Sequence, residues 1–416
     1  MNSYIEQYYQ WILQNPKKVN HKIKVVYKKL VQDIYNPKTV SFFNEQTEEK
    51  EEHTYIFDLE KATRPIIFIE KFCKHSKGKW AGQPVELELW QKAYIQAAFG
   101  FVDKDTGLRK YRKVILFVAR KNGKSTLAAG IGNYMLTSAG EGGAEVYSVA
   151  TKKEQAKLAW EEAKRMIKKS PALKARTRTL VNGIFFDKTE SFFKALASDS
   201  NSLDGLNAFY IIADEVHAWK DKNLLDVMYD STSSREEPML AEFSTMGTVR
   251  ESVFDDEYEY AEQIIDGYEG INEIVDETYL PVIYELDSPK DIEDEECWYK
   301  ANPGLGTIKN ISTLRAKVNT AKNKPSDLVN ILCKDFNIRQ NEQDKWLSFE
   351  VIHNSETYSD GDIYDTYAIG GADLSSTTDL TCATLLIIKD GKKYTKQQYF
   401  IPSSRLEFKI NDDKIP

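Results

Sequence analysis

The chain has 416 residues, of which 41% are hydrophobic and 12% aromatic, so it can bury substantial cores and is not disordered by composition. Its length predicts two or three domains of ~150 residues each. Four scattered cysteines without a CxxC pair argue against a disulfide framework and a zinc site, and indicate a reducing compartment. No apolar run approaches the ~20 residues of a membrane helix, and the polar, aromatic N-terminus is unlike a signal peptide.

The net charge of −8 is distributed unevenly along the chain. Residues 251–300 contain 18 acidic and 2 basic residues, so the remainder carries +8. A mildly basic remainder permits a partner with a phosphate backbone but does not require one.

The first 60 residues are predicted to be a helical segment. Apolar residues recur at helical spacing before Pro16 and again between Pro16 and Pro37. Residues 44–53 are predicted to be a charged connection. An amphipathic helix, ELELWQKAYIQAAFG, then ends at Gly100. Within it, Gln91 offers an amide donor and acceptor that match the edge of adenine. The alternative is an ordinary exposed helical glutamine. Because Gln91 lies one helix before the next motif, adenine binding is the favoured interpretation.

The stretch KVILFVARKNGKSTLAAGIGNYM (113–135) predicts a buried strand, a tight polar loop and a helix. That order is the context of a phosphate-binding loop, in which loop N–H groups and the helix dipole hold phosphates. Lys124 would reach the β- and γ-phosphates, and the Ser125 hydroxyl would take a Mg²⁺ position. A plain strand–helix turn is the alternative, because Val118 stands where the usual loop begins with glycine. The predicted ATP contacts are Gln91, Arg120, Lys121, Asn122, Gly123, Lys124, Ser125, Thr126 and Thr245.

Strands and helices alternate after this loop, which predicts a doubly wound, mainly parallel sheet and an α/β fold. The buried strand FYIIADE (209–215) delivers two adjacent carboxylates at its carboxyl end, where the sites of open α/β sheets lie. Asp214 would hold Mg²⁺ through water, and Glu215 would polarise the attacking water. The alternative is a strand that simply ends in charge. His217 follows, and a packing or surface role is favoured for it.

The strand AEFSTMGT (241–248) runs into hydroxyls that could lie near the γ-phosphate, Thr245 among them, although an ordinary strand exit fits as well. Between the two strands, Arg235 lies in a polar loop and is a candidate arginine finger. A surface arginine is the default interpretation.

These motifs together resemble the large subunit of tailed-phage terminases, the DNA-packaging motors. The matching phrases are Trp90-Gln91, ARKNGKST (119–126), ATKKEQA (150–156), YIIADEVHAW (210–219), STMGT (244–248), CWYKANPGLG (297–306) and DFNIRQNEQDKWL (335–347). The resemblance implies an N-terminal ATPase that moves double-stranded DNA into a procapsid, and a C-terminal nuclease with an RNase H-like fold. It also implies a homo-oligomeric ring, a small terminase subunit, a portal protein, ATP and Mg²⁺ as cofactors, and work in the cytoplasm of an infected or lysogenic bacterial host.

The resemblance divides the chain into four parts: the helical segment (1–60), the P-loop ATPase core (61–250), an acidic lid and linker (251–345) and an incomplete nuclease domain (346–416). Asp373 would be the first metal ligand of the nuclease, with a turn residue as the alternative. Because later acidic strands are absent before residue 416, we expect a C-terminally truncated nuclease that is inactive in this chain. The rival functions are a helicase-like DNA-dependent ATPase and a fragment that binds nucleotide without hydrolysing it.

Overall fold

The computed structural model describes residues 3–44, 49–197, 205–219, 222–247, 252–339, 357–374 and 381–400. The chain divides into two compact units, Met1–Glu342 and Gln343–Pro416. The helices are α1 (Tyr4–Gln14), α2 (His21–Tyr35), α3 (Leu59–Phe72), α4 (Leu89–Gly100), α5 (Lys124–Thr137), α6 (Lys153–Lys169), α7 (Pro171–Lys174), α8 (Asn223–Asp230), α9 (Val253–Glu269), α10 (Ile311–Asn323) and α11 (Pro325–Phe336). The strands are β1 (Lys38–Asn44), β2 (Glu49–Phe57), β3 (Phe101–Asp103), β4 (Lys113–Phe117), β5 (Glu145–Ala150), β6 (Arg178–Thr179), β7 (Ile184–Phe186), β8 (Ser191–Ala197), β9 (Ala208–Asp214), β10 (Met239–Ser244), β11 (Tyr279–Ile283), β12 (Ala368–Asp373), β13 (Thr381–Lys389) and β14 (Lys392–Phe400).

The first unit is built on an eight-stranded sheet in the order β11-β4-β10-β9-β5-β8-β7-β6. Its first six strands are mutually parallel, and β7 and β6 continue antiparallel at the far edge. Every residue of β9 and β10 is buried, as expected for strands covered on both faces. The predicted doubly wound, mainly parallel sheet is confirmed.

Three central strands position the candidate site. The strands β4, β10 and β9 are parallel neighbours, with Phe117 in register with Ser244 and Phe243 in register with Asp214. Because parallel neighbours end at the same edge of a sheet, the loop after β4 meets the ends of the other two strands there.

The N-terminal segment is only partly helical. The strands β1 and β2 pair antiparallel, and β2 pairs with β3. The predicted charged connection at 44–53 is therefore wrong for its described part, since residues 49–53 lie in β2. Cross-strand pairing explains the difference, because the hydroxyls of Thr39 and Thr54 lie 2.8 Å apart across the pair.

The acidic region does not form the lid that the sequence predicts from residue 251. The helix α9 packs into the main core, and β11 is a buried edge strand of the large sheet beside β4. A second hydrophobic core begins at Leu286 and includes Trp298, Leu314 and Phe336. We call residues 286–339 the lid subdomain. Its core also contains Ala119 of the phosphate loop, so the two parts pack directly together.

The second unit contains an antiparallel three-stranded sheet in the order β12-β13-β14. All residues of β12 are exposed, whereas Ile387 in β13 is buried. Among the helices that the structure describes, none is both long and apolar enough to cross a membrane.

Candidate nucleotide site

The phosphate loop spans residues 119–123, between β4 and α5. Lys121 and Gly123 take left-handed backbone conformations, with φ of 68° and 84°. Alternation of left-handed and right-handed residues turns successive backbone N–H groups toward one concave side, which makes an anion-binding nest. A Cβ on Gly123 would meet its neighbours at an ordinary 3.5 Å, so the loop needs this glycine for its φ and not for space.

The Lys124 ammonium lies inside this loop. It donates a hydrogen bond to the Val118 carbonyl at 2.9 Å and another to the Thr245 hydroxyl at the end of β10. Burial lowers the pKa of Lys124, and the carboxylates of Glu215 and Asp214 oppose that effect. The amine therefore lies in the electrostatic field of both predicted carboxylates.

Other predicted phosphate contacts line the outside of the loop. Ser125 is exposed in the first turn of α5, with Thr126 half-buried beside it. Arg120 and Lys121 are also exposed. The mouth of the loop thus presents a hydroxyl and two cationic side chains to solvent.

Asp214 and Glu215 follow β9 at the same edge of the sheet. Asp214 is 3% exposed, and its pKa is raised to about 7 by burial first and by the charge of Glu215 second. Glu215 has a left-handed φ of 54°, and its backbone N–H bonds to the Phe243 carbonyl at 2.9 Å. This conformation, uncommon for a glutamate, directs the chain sharply away from the sheet directly after the strand.

A cleft of about 700 Å³ opens beside the phosphate loop. Its lining includes Trp80, Val85 and Ile308, together with Gln91 and Gly123. Its size and partly apolar lining suit a nucleobase next to the phosphate site. Gln91 is buried, unlike the exposed helical glutamine of the alternative interpretation, and its side-chain carbonyl accepts the Glu88 backbone N–H at 3.0 Å. The amide nitrogen remains as a donor near Gly123.

The Asn122 side chain faces the lid subdomain. It donates to the Ala119 carbonyl at 2.8 Å and to the Asn302 side chain at 3.0 Å, and it accepts the Gly304 N–H at 3.2 Å. The predicted contact of Asn122 with ATP would therefore come from its main chain. Asn302 is fully buried, so the hydrogen bond between the two asparagine side chains connects the phosphate loop to the lid subdomain in the protein interior.

The lid also binds the end of β10. The Asn337 side chain accepts the Met246 N–H at 2.6 Å and donates to the Tyr284 carbonyl at 2.9 Å. A backbone hydrogen bond adds to this contact, because the Arg120 N–H donates to the Lys334 carbonyl at 3.1 Å. Two segments of the candidate site are thus attached to the same helix end, that of α11.

The structure does not place Arg235 at the phosphate site of its own chain. Its guanidinium donates to the carbonyls of Gly142, Gly143 and Asn207 and pairs with Glu141 at 2.6 Å. These partners precede β5 and β9, at the edge of the sheet opposite Asp214. The role of arginine finger is therefore wrong within one chain, because the guanidinium ties loops together at the far edge.

Asp373 lies at the end of β12 in the second unit, opposite Cys382 in the strand register. Residues 375–380, between β12 and β13, lie outside the described residues. Within the described ranges, no group of three or more His, Cys, Asp or Glu side chains is placed to hold a metal ion. A role of Asp373 as a ligand stays a prediction.

Sequence reasoning missed several residues of the site. The cleft residues Val85 and Ile308 lack any local motif, and Asn302 and Asn337 are distant in sequence from the loops they bind. The asparagine in the phrase KANPGLG (300–306) carried a signal, because a polar residue between apolar ones in a small core needs a partner.

Two family models match the chain in succession. The model described as the ATPase domain of the terminase large subunit matches residues 89–263, and the model described as its endonuclease domain matches residues 273–415. The second match begins upstream of residue 346, where the sequence predicts the nuclease to start.

Individual relatives agree with these matches. The large terminase subunit of Enterobacteria phage HK97 is 26% identical over 364 residues, which is 86% of this chain and 69% of that protein. That of Lactococcus phage p2 is 22% identical over 365 residues, 85% of this chain and 65% of the relative. This chain therefore spans about two thirds of the length of these relatives.

Among solved structures, the crystal structure of the HK97 large terminase superposes with a TM-score of 0.58. The superposition covers 86% of this chain and 71% of that one at 24% sequence identity, and supports a shared fold. Two consecutive domain matches and a shared fold lead to one conclusion: the chain belongs to the family of terminase large subunits.

Proposed function

We propose that this chain hydrolyses ATP at the nucleotide site and uses the energy to move double-stranded viral DNA into a procapsid. The observation that carries this proposal is the convergence of a phosphate loop, a buried lysine and two acidic residues at one sheet edge. A base-sized cleft beside the loop completes the site.

Each side chain has a task in this proposal. Lys124 and the loop N–H groups bind the phosphates and stabilise the charge that spreads over them in the transition state. The amide nitrogen of Gln91 donates to a ring nitrogen of adenine, and Glu215 orients the attacking water. Thr245 accepts a hydrogen bond from Lys124, and in this proposal it senses the loss of the γ-phosphate.

The residues present fit a magnesium ion. The Ser125 hydroxyl and the Asp214 carboxylate are oxygen donors, the type that Mg²⁺ prefers, and phosphate oxygens and water complete its shell. A buried carboxyl whose pKa is raised to about 7 becomes fully ionised when a divalent cation lies nearby. Bound Mg²⁺ neutralises charge on the transferred phosphate.

A steady-state ATPase assay with Lys124→Ala tests the proposal. We expect turnover to fall to background, because the side chain that contacts the phosphates is removed. Lys92→Ala, on the neighbouring helix α4, is the control and should hydrolyse ATP at the wild-type rate. Turnover that survives Lys124→Ala would contradict the proposal, and the absence of turnover in wild-type protein would favour the non-hydrolysing alternative.

DNA handling separates the motor from a helicase. We expect duplex DNA to stimulate hydrolysis and the two strands to stay paired during movement. A strand-displacement assay with fluorescently labelled duplex measures this directly. ATP-dependent strand separation would favour the helicase-like alternative.

We further propose that the C-terminal domain belongs to the genome-cleaving endonuclease of the family, with Asp373 as a metal ligand. Plasmid nicking in Mn²⁺ by wild type and by Asp373→Ala tests both this assignment and the predicted inactivity. Cleavage that Asp373→Ala abolishes would assign the ligand and contradict the inactivity. The ring, the small terminase subunit, the portal protein and the host cytoplasm are proposed from the family resemblance.

A further inference from the structure

His217 connects Glu215 with the end of β10. The imidazole Nδ1 lies 3.1 Å from the Glu215 carboxylate oxygen Oε2 and 3.3 Å from the Ser244 hydroxyl oxygen. The His217 backbone N–H also donates to Ser244, at 3.2 Å. The ring is therefore anchored at its backbone and at its side chain by one serine, and it faces the carboxylate from that anchor.

The acceptors around Nδ1 indicate which ring nitrogen carries the proton. The Ser244 hydroxyl donates to the Thr245 carbonyl at 3.2 Å, so toward His217 its oxygen acts as an acceptor. The Glu215 carboxylate is an acceptor as well. Because both neighbouring oxygens act as acceptors, we assign the hydrogen to Nδ1, which donates to the Ser244 hydroxyl oxygen and lies 3.1 Å from the Glu215 carboxylate.

Gly247 provides the space for this ring. A Cβ at residue 247 would lie 2.8 Å from the His217 Cβ and 3.0 Å from its Cδ2. The first distance is shorter than real Cβ contacts, the second is at the tight end of their range, and Gly247 has no left-handed φ that would require glycine. The glycine after the hydroxyl pair is thus required by the position of the imidazole.

Burial favours the neutral form of the ring near pH 7. Burial lowers the pKa of His217, Glu215 opposes this, and the cations Arg120, Lys124 and Lys334 add to the lowering. A neutral N–H donor fixes the direction of a carboxylate and leaves its basicity largely intact, as a water-activating group requires.

We propose that His217 is a positioning residue that holds the Glu215 carboxylate in the direction needed to activate water. This inference rests on the proposed function, in which Glu215 is the water-activating group. The same strand end that anchors His217 continues into Thr245, which contacts Lys124. Phosphate contact and water activation are therefore connected through two adjacent hydroxyl residues, Ser244 and Thr245.

The test is ATPase kinetics of full-length variants. His217→Leu removes the donor and should lower kcat about 10- to 100-fold while the KM for ATP changes less than about 2-fold, because a misdirected catalytic group costs that much in rate. His217→Asn places an amide N–H where Nδ1 was and should recover most of the loss. Gly247→Ala keeps the imidazole but displaces it, and should lower kcat as well.

His53→Leu is the matched control. His53 also holds a carboxylate through Nδ1, that of Asp103 at 3.1 Å, but on β2 and outside the site. We expect its kinetics to equal those of the wild type. Thermal unfolding of each variant with bound nucleotide analogue identifies any that fail to fold.

The outcomes separate this inference from the proposed function. If Glu215→Gln retains hydrolysis, the water-activating role itself is wrong. If Glu215→Gln abolishes turnover but folded His217→Leu turns over at the wild-type rate, the positioning role alone is overturned. Equal losses in His217→Leu and His217→Asn, or a loss confined to KM, also contradict it.

Discussion

Replacement of Asn337 should destabilise the ATPase unit more than almost any other change of a polar side chain. Asn337 is fully buried, ends α11 with a left-handed φ of 59°, and bonds to both the Met246 N–H and the Tyr284 carbonyl. Those two partners are themselves buried. The side chain therefore satisfies two interior main-chain groups and also suits its own backbone conformation.

The magnitude for Asn337→Ala follows from these contacts. Each buried group left without a partner costs about 1–3 kcal/mol, and the left-handed conformation costs a residue with a Cβ about 1 kcal/mol more. The sum, about 3–7 kcal/mol, is a large part of a typical unfolding free energy of about 5–15 kcal/mol. Asn337→Gly removes the conformational cost and should be about 1 kcal/mol more stable than Asn337→Ala.

Urea unfolding followed by tryptophan fluorescence measures these differences as shifts in free energy of unfolding. The control is Asn36→Ala, an exposed residue after α2, which should change stability by less than about 0.5 kcal/mol. A loss below about 1 kcal/mol in Asn337→Ala, or a glycine variant less stable than the alanine variant, would refute the reasoning.

Three further predictions concern residues that the sequence assigns to the site. Gln91→Ala should narrow the preference for ATP over GTP, measured as the ratio of the two kcat/KM values, and an unchanged ratio would remove Gln91 from base recognition. Asp214→Asn should stabilise the nucleotide-free protein at high pH: because the folded pKa is raised to about 7, the ionised carboxylate costs stability increasingly from about pH 4 to pH 7 and fully above it. The gain in melting temperature should therefore be largest at pH 8 and vanish near pH 4, and a gain independent of pH would contradict the burial argument. Arg235→Ala should lower the melting temperature because four loop contacts are lost, yet leave kcat per folded chain unchanged; a large loss of kcat would restore a catalytic role, in trans.

The central part of the site is predictable because its signals are local. A strand with β-branched residues, a polar turn with glycine and a small-residue helix predict the phosphate loop, and the unbroken apolar run before Asp214 predicts the carboxyl end of β9. Parallel pairing then brings both ends together without any further information.

The misplaced parts depend on contacts between distant residues. The local sequence predicts an exposed loop arginine at Arg235. In the structure its guanidinium bonds to Glu141 and Asn207, which are distant in sequence. The acidic composition of residues 251–300 suggests a separate module, so the strand β11 within it is not predicted. All five residues of β11 are buried beside β4 at the edge of the sheet. The side chains of Asn122 and Asn302 form a hydrogen bond although they are 180 residues apart in sequence. No local sequence pattern predicts this contact.

The central claim, ATP hydrolysis with water activated by one carboxylate, is tested most directly by Glu215→Gln. This change preserves size and one acceptor oxygen, replaces the other oxygen with an amide donor, and removes the charge that polarises water. Nucleotide affinity, measured by fluorescent ATP titration beside the turnover assay, should stay within about 2-fold of the wild type while kcat falls at least about 100-fold. Wild-type turnover in Glu215→Gln, or loss of binding together with turnover, would contradict the account.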